Sequence, residues 1–217
     1  MVTTFINIEG NIGAGKTTFL QELESKLSQF FTVKVVPEFV YENEANVLLN
    51  AMYEKRIDSF DFQKYLFNTR TNFIYKIGKS EEKPDFILLD RNIDIQYHIF
   101  GNVLLKKGRL SKKEHKQMKR MLNTYEAMLN NLFPNRSECM IYLDCSEENC
   151  LKRIKIRNRE GENKIDKDYL SLLEEEHKKY LNNPDVINKY WAIKEINNNE
   201  EWENEKNVKE AIRWLFI

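Results

Sequence analysis

Gly10-Asn11-Ile12-Gly13-Ala14-Gly15-Lys16-Thr17 decides the reading of this chain. The octet satisfies G-x-x-x-x-G-K-[ST], and it stands between a β-rich run, Thr4–Glu9 (TFINIE), and a stretch from Lys16 whose apolar residues recur at helical spacing. Strand, glycine loop and helix in that order make a phosphate cradle. Glycines let successive backbone N–H groups and the helix N-terminus face an anion, where donors and dipole both favour negative charge. Lys16 would hold the β- and γ-phosphates of a nucleotide, and the Thr17 hydroxyl would ligate Mg²⁺. A chance match in a chain of 217 residues is on the order of one in a hundred, which disfavours a flexible turn with a solvent-facing lysine.

Working outward, Val33–Val36 reads as a second strand stopped by Pro37, and 85–90 (DFILLD) as a continuous apolar strand closed by an acid. Segments 139–143 (CMIYL) and, more weakly, 192–196 (AIKEI) repeat the form. Helical periodicity covers 45–54, 60–77, 111–132, 146–157, 168–181 and 201–216. Strands alternating with helices predict an α/β fold: a five-stranded parallel sheet with helices on both faces. No repeat, linker or composition break divides the chain, so one domain over 1–217 is expected.

Composition bounds the partners. Lys plus Arg and Asp plus Glu both number 34, so no long-range field draws the chain to nucleic acid or an anionic membrane. Eight Lys and Arg crowd 106–120, but without interleaved aromatics they read as a solvated helix start. No apolar run reaches the roughly 20 residues of a membrane span. Three cysteines, Cys139, Cys145 and Cys150, lack paired metal-ligand spacing and fit a reducing compartment. A cytoplasmic protein is expected.

Phosphate binding alone leaves kinase, GTPase, motor and regulator open. Asn163-Lys164-Ile165-Asp166 matches the N-K-x-D of guanine recognition, yet it follows the charged run 157–162 rather than a buried strand, and Ile93 stands where a GTPase switch has glycine. Glu38, just past the second strand, and Asp90-Arg91-Asn92, ending the third, fall on the sheet edge where open α/β folds bind ligands. A carboxylate to accept a hydroxyl proton and a cation for the transferring phosphoryl are what phosphoryl transfer to an alcohol needs.

At these residues the chain resembles the deoxynucleoside kinase family, which includes deoxycytidine, deoxyguanosine and mitochondrial thymidine kinases, collinearly from the glycine loop to about Tyr180. The resemblance implies strand order 2-3-1-4-5, a P-loop kinase fold with a LID at about 157–165, a homodimer, and ATP with Mg²⁺ as cofactors. GNIGAGKTT, Gly10 to Thr18, is the phosphate loop. Pro37-Glu38-Phe39-Val40 carries the catalytic base Glu38. Asp90 is the acid near the metal and Arg91 the arginine beside the 5′-hydroxyl, with Asn92 replacing the usual serine. Tyr53 is implied at the sugar 3′-hydroxyl, with Gln63 and Arg70 at the base and Phe62 available to stack on it. Arg153, Arg157 and Arg159 are the LID arginines, and Glu162 occupies the place of a glutamate that bonds the 3′-hydroxyl. Arg153 and Arg157, four apart, share one helix face and so can reach one anion.

Departures bear on the base. Phe39 and Asn43 replace a proline and a pocket tryptophan, and Gln96 stands where the deoxycytidine enzyme has an aspartate beside its arginine. The expected reaction is transfer of the γ-phosphoryl of ATP, or another NTP, to a deoxyribonucleoside 5′-hydroxyl, with a purine or cytosine base. Thymidylate kinase is the alternative, but it calls for an arginine shortly after the Glu38 segment and 41–50 contains none. A regulator without catalysis would be expected to lose Glu38 or the LID arginines.

Overall fold

The computed structural model describes residues 2–39, 43–54, 56–159, 161–200 and 204–216, without the side chains of Asn43, Tyr53 and Asn163. Five strands, β1 (Thr4–Glu9), β2 (Val33–Val36), β3 (Phe86–Asp90), β4 (Ser137–Asp144) and β5 (Ala192–Asn197), form one parallel sheet. Their order is β2-β3-β1-β4-β5, as the resemblance implied. The three inner strands are buried almost throughout, which is why they read as unbroken apolar runs, whereas the edge strands β2 and β5 alternate or stay half-exposed.

On one face α1 (Lys16–Leu27), α7 (Glu147–Arg157) and α10 (Asn204–Leu215) bury Phe19, Leu23, Ile154 and Val208 against Ile6, Ile8 and Ile141. On the other, α2 (Asn43–Tyr53), α3 (Ser59–Lys79) and α6 (Lys112–Leu132) bury Leu49, Phe67, Ile74 and Tyr125 against Phe5, Ile87 and Leu89. Starts are encoded locally. Asp58 caps α3, Ser146 caps α7, and Ser111 with Glu114 forms a capping box on α6.

Residues 93–106, outside the expected helices, form a short helix α4 (Ile93–Ile95), a π-helical turn (Gln96–Gly101) and α5 (Asn102–Lys106). Ile95, Ile99 and Val103, four residues apart, are all fully buried along it, and π turns occur often at functional sites. This one carries Gln96 and Phe100. A 3₁₀ turn (Glu162–Lys164) in the segment expected as the LID, α8 (Lys167–Leu181) and α9 (Pro184–Ile187) complete the fold. Among the described residues no helix is long and apolar enough to cross a membrane.

Parallel strands end on one edge, so the registers Ile8 with Asp90, Glu9 with Tyr142 and Asp144 with Asn197 bring the loops after β1, β3, β4 and β5 together. Every motif found in the sequence comes from that edge or from the helices covering it.

Candidate active site

The loop between β1 and α1 turns through Gly10, Gly13 and Gly15, all at positive φ. At Gly13, φ is +84° and an added Cβ would lie 2.6 Å from the Cys150 carbonyl oxygen, so both conformation and space demand glycine. Lys16 is 5% exposed and its Nζ donates to the carbonyls of Gly10 (3.1 Å) and Asn11 (2.8 Å). Burial, with Arg91 nearby, lowers its pKa to about 8 against the pull of Glu38, Asp90 and Glu9. A phosphate bound here would add to the negative charge around this lysine.

Thr17 Oγ1 donates to Asp90 Oδ2 at 2.7 Å, while Asp90 Oδ1 is buried without a partner among the described residues. Two hard oxygens side by side, one with free lone pairs, fit Mg²⁺, which takes one or two protein oxygens beside substrate phosphates. Burial, and then Glu38, raise the Asp90 pKa; a cation would reverse that.

Glu38 and Arg91 meet above the loop. Arg91 Nε donates to Glu38 Oε1 at 2.7 Å, its Nη1 donates to the Gly10 carbonyl at 3.2 Å, and its guanidinium lies 4.9 Å over the Phe100 ring. Burial alone would raise the Glu38 pKa, but Arg91, helped by Lys16 and Arg70, outweighs it and holds the carboxylate at about 2. This carboxylate is therefore ionised at neutral pH.

Two residues flanking these charges adopt left-handed backbone, Phe39 at φ 61° and Arg91 at φ 75°. Proline, fixed near φ −65°, could not take the Phe39 conformation, so the departure from the family segment is matched by a local change of backbone. Such residues cost on the order of 1–3 kcal/mol each and persist only where the surroundings fix them. At Arg91 the surroundings are visible. Arg91 N donates to Ile8 O (3.2 Å), and Asn92 N donates to Glu9 Oε1 (2.6 Å). Sequence reasoning passed over Glu9. It is fully buried, and burial lifts its pKa to about 8 despite Arg91. An acid as the last residue of a buried strand was the available signal.

Beyond Glu38 and Arg91 a cavity opens between α3 (Phe62, Gln63, Leu66, Arg70), α2 (Leu49, Met52), the π turn (Gln96, Phe100) and the LID (Glu162, Ile165). Thus Glu38, Phe62, Gln63, Arg70, Arg91, Gln96 and Glu162, widely spaced in sequence, line one space. Its volume is about 80 Å³. Three of the residues lining it carry a buried polar atom without a partner among the described residues: Gln63 Oε1, Arg70 Nε and Gln96 Oε1. Unpaired buried polar atoms are costly, and a polar ligand that reached them would offset that cost. Arg70 also has a second task, since its Nη2 donates to the backbone carbonyls of Glu38 (3.1 Å) and Asp90 (3.4 Å).

The LID residues divide. Arg153 lies at the phosphate loop, its Nη1 about 3.6 Å from where a Cβ on Gly15 would stand, with Nη1 also donating to Cys145 Sγ (3.3 Å) and Nη2 to Asn199 O (3.0 Å). Arg157 instead makes a two-pronged pair with Glu162 at 2.7 and 2.5 Å. In this state, therefore, the two arginines do not converge on one point, and Glu162 both lines the cavity and engages Arg157. Arg159 is exposed beyond Asn158, whose left-handed φ of 46° ends α7. Thr18 is exposed in the first turn of α1. The Tyr53 side chain lies outside the described residues. Asn163 to Asp166 follow α7 and end as the cap of α8, where Asp166 accepts from Tyr169 N; no strand precedes them, which removes the GTPase reading.

The comparisons agree with this geometry. A family model described as deoxynucleoside kinase matches residues 6–215. The chain is 29% identical over 209 residues to a fowlpox virus protein described as a probable deoxycytidine kinase, covering 95% of this chain and 84% of that one. It is 30% identical over 197 residues to the deoxyadenosine kinase of Dictyostelium discoideum, covering 89% and 72%. It is 31% identical over 202 residues to human deoxycytidine kinase, covering 81% and 74%. A phosphate loop, a carboxylate–arginine pair over it and a polar-ended cavity beyond, in a chain matched along nearly its whole length, place this protein in the deoxynucleoside kinase family.

Proposed function

We propose that the protein transfers the γ-phosphoryl of ATP, or of another NTP, to the 5′-hydroxyl of a deoxyribonucleoside carrying a purine or cytosine base. The observation that carries this is the position of Glu38 and Arg91 between the phosphate loop and the cavity. A nucleoside seated with its base at Gln63, Arg70 and Gln96 directs its 5′-carbon toward them. Glu38 takes the hydroxyl proton as the new O–P bond forms and the bond to the β-phosphate oxygen breaks, releasing ADP. Lys16 and Arg91 stabilise the charge on the transferring group, and Arg153, Arg157 and Arg159 supply further positive charge as the LID closes and excludes water. Thr17 and Asp90 would hold Mg²⁺, which supplies neutralising charge on the phosphates when bound. Glu162 and Tyr53 serve the sugar 3′-hydroxyl. The working unit is one domain over 1–217 with its LID at 157–165, acting in the cytoplasm as a homodimer, a state that sedimentation tests.

The polar end of the cavity narrows the base. Gln96 Nε2 donates to the backbone carbonyl of Gln63 at 2.7 Å, and a carbonyl only accepts, so this bond fixes the amide and turns Oε1 away from it as an acceptor. Arg70 Nε is a donor that accepts nothing. An amino group beside a ring nitrogen, as in adenine and cytosine, satisfies both, whereas a carbonyl in place of the amino group meets Gln96 Oε1 lone pair to lone pair. ADP release with each nucleoside and nucleoside monophosphate tests the reading. Deoxyadenosine should surpass deoxyinosine, and deoxycytidine should surpass deoxyuridine, by roughly 10- to 100-fold in kcat/KM. Turnover of thymidine monophosphate but of no nucleoside would replace the whole proposal.

A further inference from the structure

We infer that Asn198, at the end of β5, is a positioning residue that sets the phosphate loop for the donor, and that α10 holds it in place through Asn207. The inference rests on the loop binding the donor phosphates. Asn198 lies 184 residues from the loop and outside every motif, yet its Nδ2 donates to the Ala14 carbonyl at 2.7 Å in a buried contact. Its backbone N–H donates to Asp144 O (2.7 Å), anchoring it to the end of β4. Its Oδ1 accepts from Asn207 Nδ2 (3.0 Å), which also donates to Asn197 O (3.0 Å). Donor and acceptor ends of the Asn198 amide thus have different fixed partners, so one orientation alone satisfies both. Asn198 and Asn207 are each 4% exposed, so water does not substitute for these bonds.

The consequence follows from peptide geometry. A planar trans peptide points its C=O and its N–H in opposite directions. Holding the Ala14 carbonyl outward, against Asn198, holds the Gly15 N–H inward, toward the concave side where phosphate binds. Gly15, at φ +90°, has no Cβ to resist rotation of that peptide, so the loop itself does not fix the orientation. A Cβ there would stand 2.7 Å from Asn198 Nδ2, which shows how closely the amide closes over the loop. The neighbouring Asn199 ties the same segment to the arginine helix. Its Oδ1 accepts from Ser146 N (2.8 Å) and Asn149 Nδ2 (3.0 Å), and its carbonyl accepts from Arg153 Nη2 (3.0 Å). The β5–α10 junction therefore orients both the loop and Arg153 against the donor while lying away from the nucleoside cavity.

The test is ATP binding by calorimetry with the full chain and Mg²⁺, without nucleoside, followed by steady-state kinetics. Asn198→Asp keeps the shape but loses the donor, and Asn198→Ala removes both ends. Each should weaken ATP about 10- to 100-fold while the nucleoside KM stays within about twofold. Asn207→Leu, remote from the loop, should weaken ATP about three- to tenfold in the same selective way. Asn198→Asp also places a negative charge beside the loop, so the neutral Asn198→Ala and Asn207→Leu separate the roles: a purely packing role predicts that Asn207→Leu binds ATP as the unmodified protein does. ATP affinity unchanged in Asn198→Asp, or nucleoside KM rising as much as that for ATP, overturns the inference. If Asn198 variants fail to fold, unchanged affinity in Asn207→Leu overturns it instead. An unmodified protein that binds ATP but phosphorylates no nucleoside refutes the proposed function and leaves this inference standing.

Discussion

Replacing Glu38 by glutamine isolates the base. The amide keeps the side-chain shape and retains an acceptor for Arg91 Nε, which now bonds Glu38 Oε1 at 2.7 Å, but it cannot take a proton. A positioned general base contributes about 10²- to 10⁴-fold, so kcat should fall by that factor, whereas KM for the nucleoside, which the proposal assigns to the Gln63, Arg70 and Gln96 side chains, should move little. A stability effect runs in parallel. Arg91 is 4% exposed and Glu38 19%, so removing the charge leaves a buried cation short of its partner, at a cost of about 1–3 kcal/mol that the remaining acceptor reduces. The loss should vanish in acid. Because the folded pKa is depressed to about 2, the pair stabilises the protein fully above the ordinary carboxylate value of 4.5 and ceases to do so as pH falls toward 2. Single-turnover kinetics separate chemistry from release, and thermal melts across pH follow the second effect. A Glu38→Gln enzyme with chemistry within threefold of the unmodified rate would refute the assignment, whatever its stability.

Thr17→Ala and Asp90→Asn should raise the Mg²⁺ concentration for half-maximal activity, measured by metal titration at fixed ATP; an unchanged requirement would remove them from the metal site. Arg157→Ala should lower kcat while nucleoside binding persists, and unchanged turnover would show that its pairing with Glu162 is purely structural. Arg70→Met should improve thymidine relative to deoxyadenosine in competition assays, but total turnover should also drop because Arg70 holds the Glu38 and Asp90 carbonyls. Full turnover after the change would show that this bracing is dispensable. His177 is fully buried and burial, with Arg91, lowers its pKa to about 3. The unfolded chain therefore binds a proton near pH 6.5 that the folded one refuses, and stability falls by up to roughly 1.4 kcal/mol per pH unit from there toward pH 3. Melting of His177→Gln should depend less steeply on pH in that window, and an unchanged slope would assign the acid lability elsewhere.

What the sequence determined by itself was whatever depends on local order. Strand, glycine loop and helix are contiguous, so Gly10 to Thr17 announced the phosphate site. Apolar runs located most elements, because secondary structure is set within a few residues. Parallel strands share an edge, which placed Glu38 and Asp90-Arg91 together before any coordinates. The tertiary structure decided what depends on distance. Whether Gln96 presents an amide donor or acceptor follows from the Gln63 carbonyl 33 residues away. The left-handed turn at Arg91 is held by Glu9 from a different strand, and Arg70 proved to be a brace for two loops besides lining the cavity. The helix over 93–106 was legible in the four-residue spacing of Ile95, Ile99 and Val103, but the π turn within it shows only in the backbone hydrogen bonds. Asn198 reaches the loop across 184 residues, through a bond that no spacing encodes, because hydrogen bonds between strand ends are fixed only once the sheet has brought those ends together.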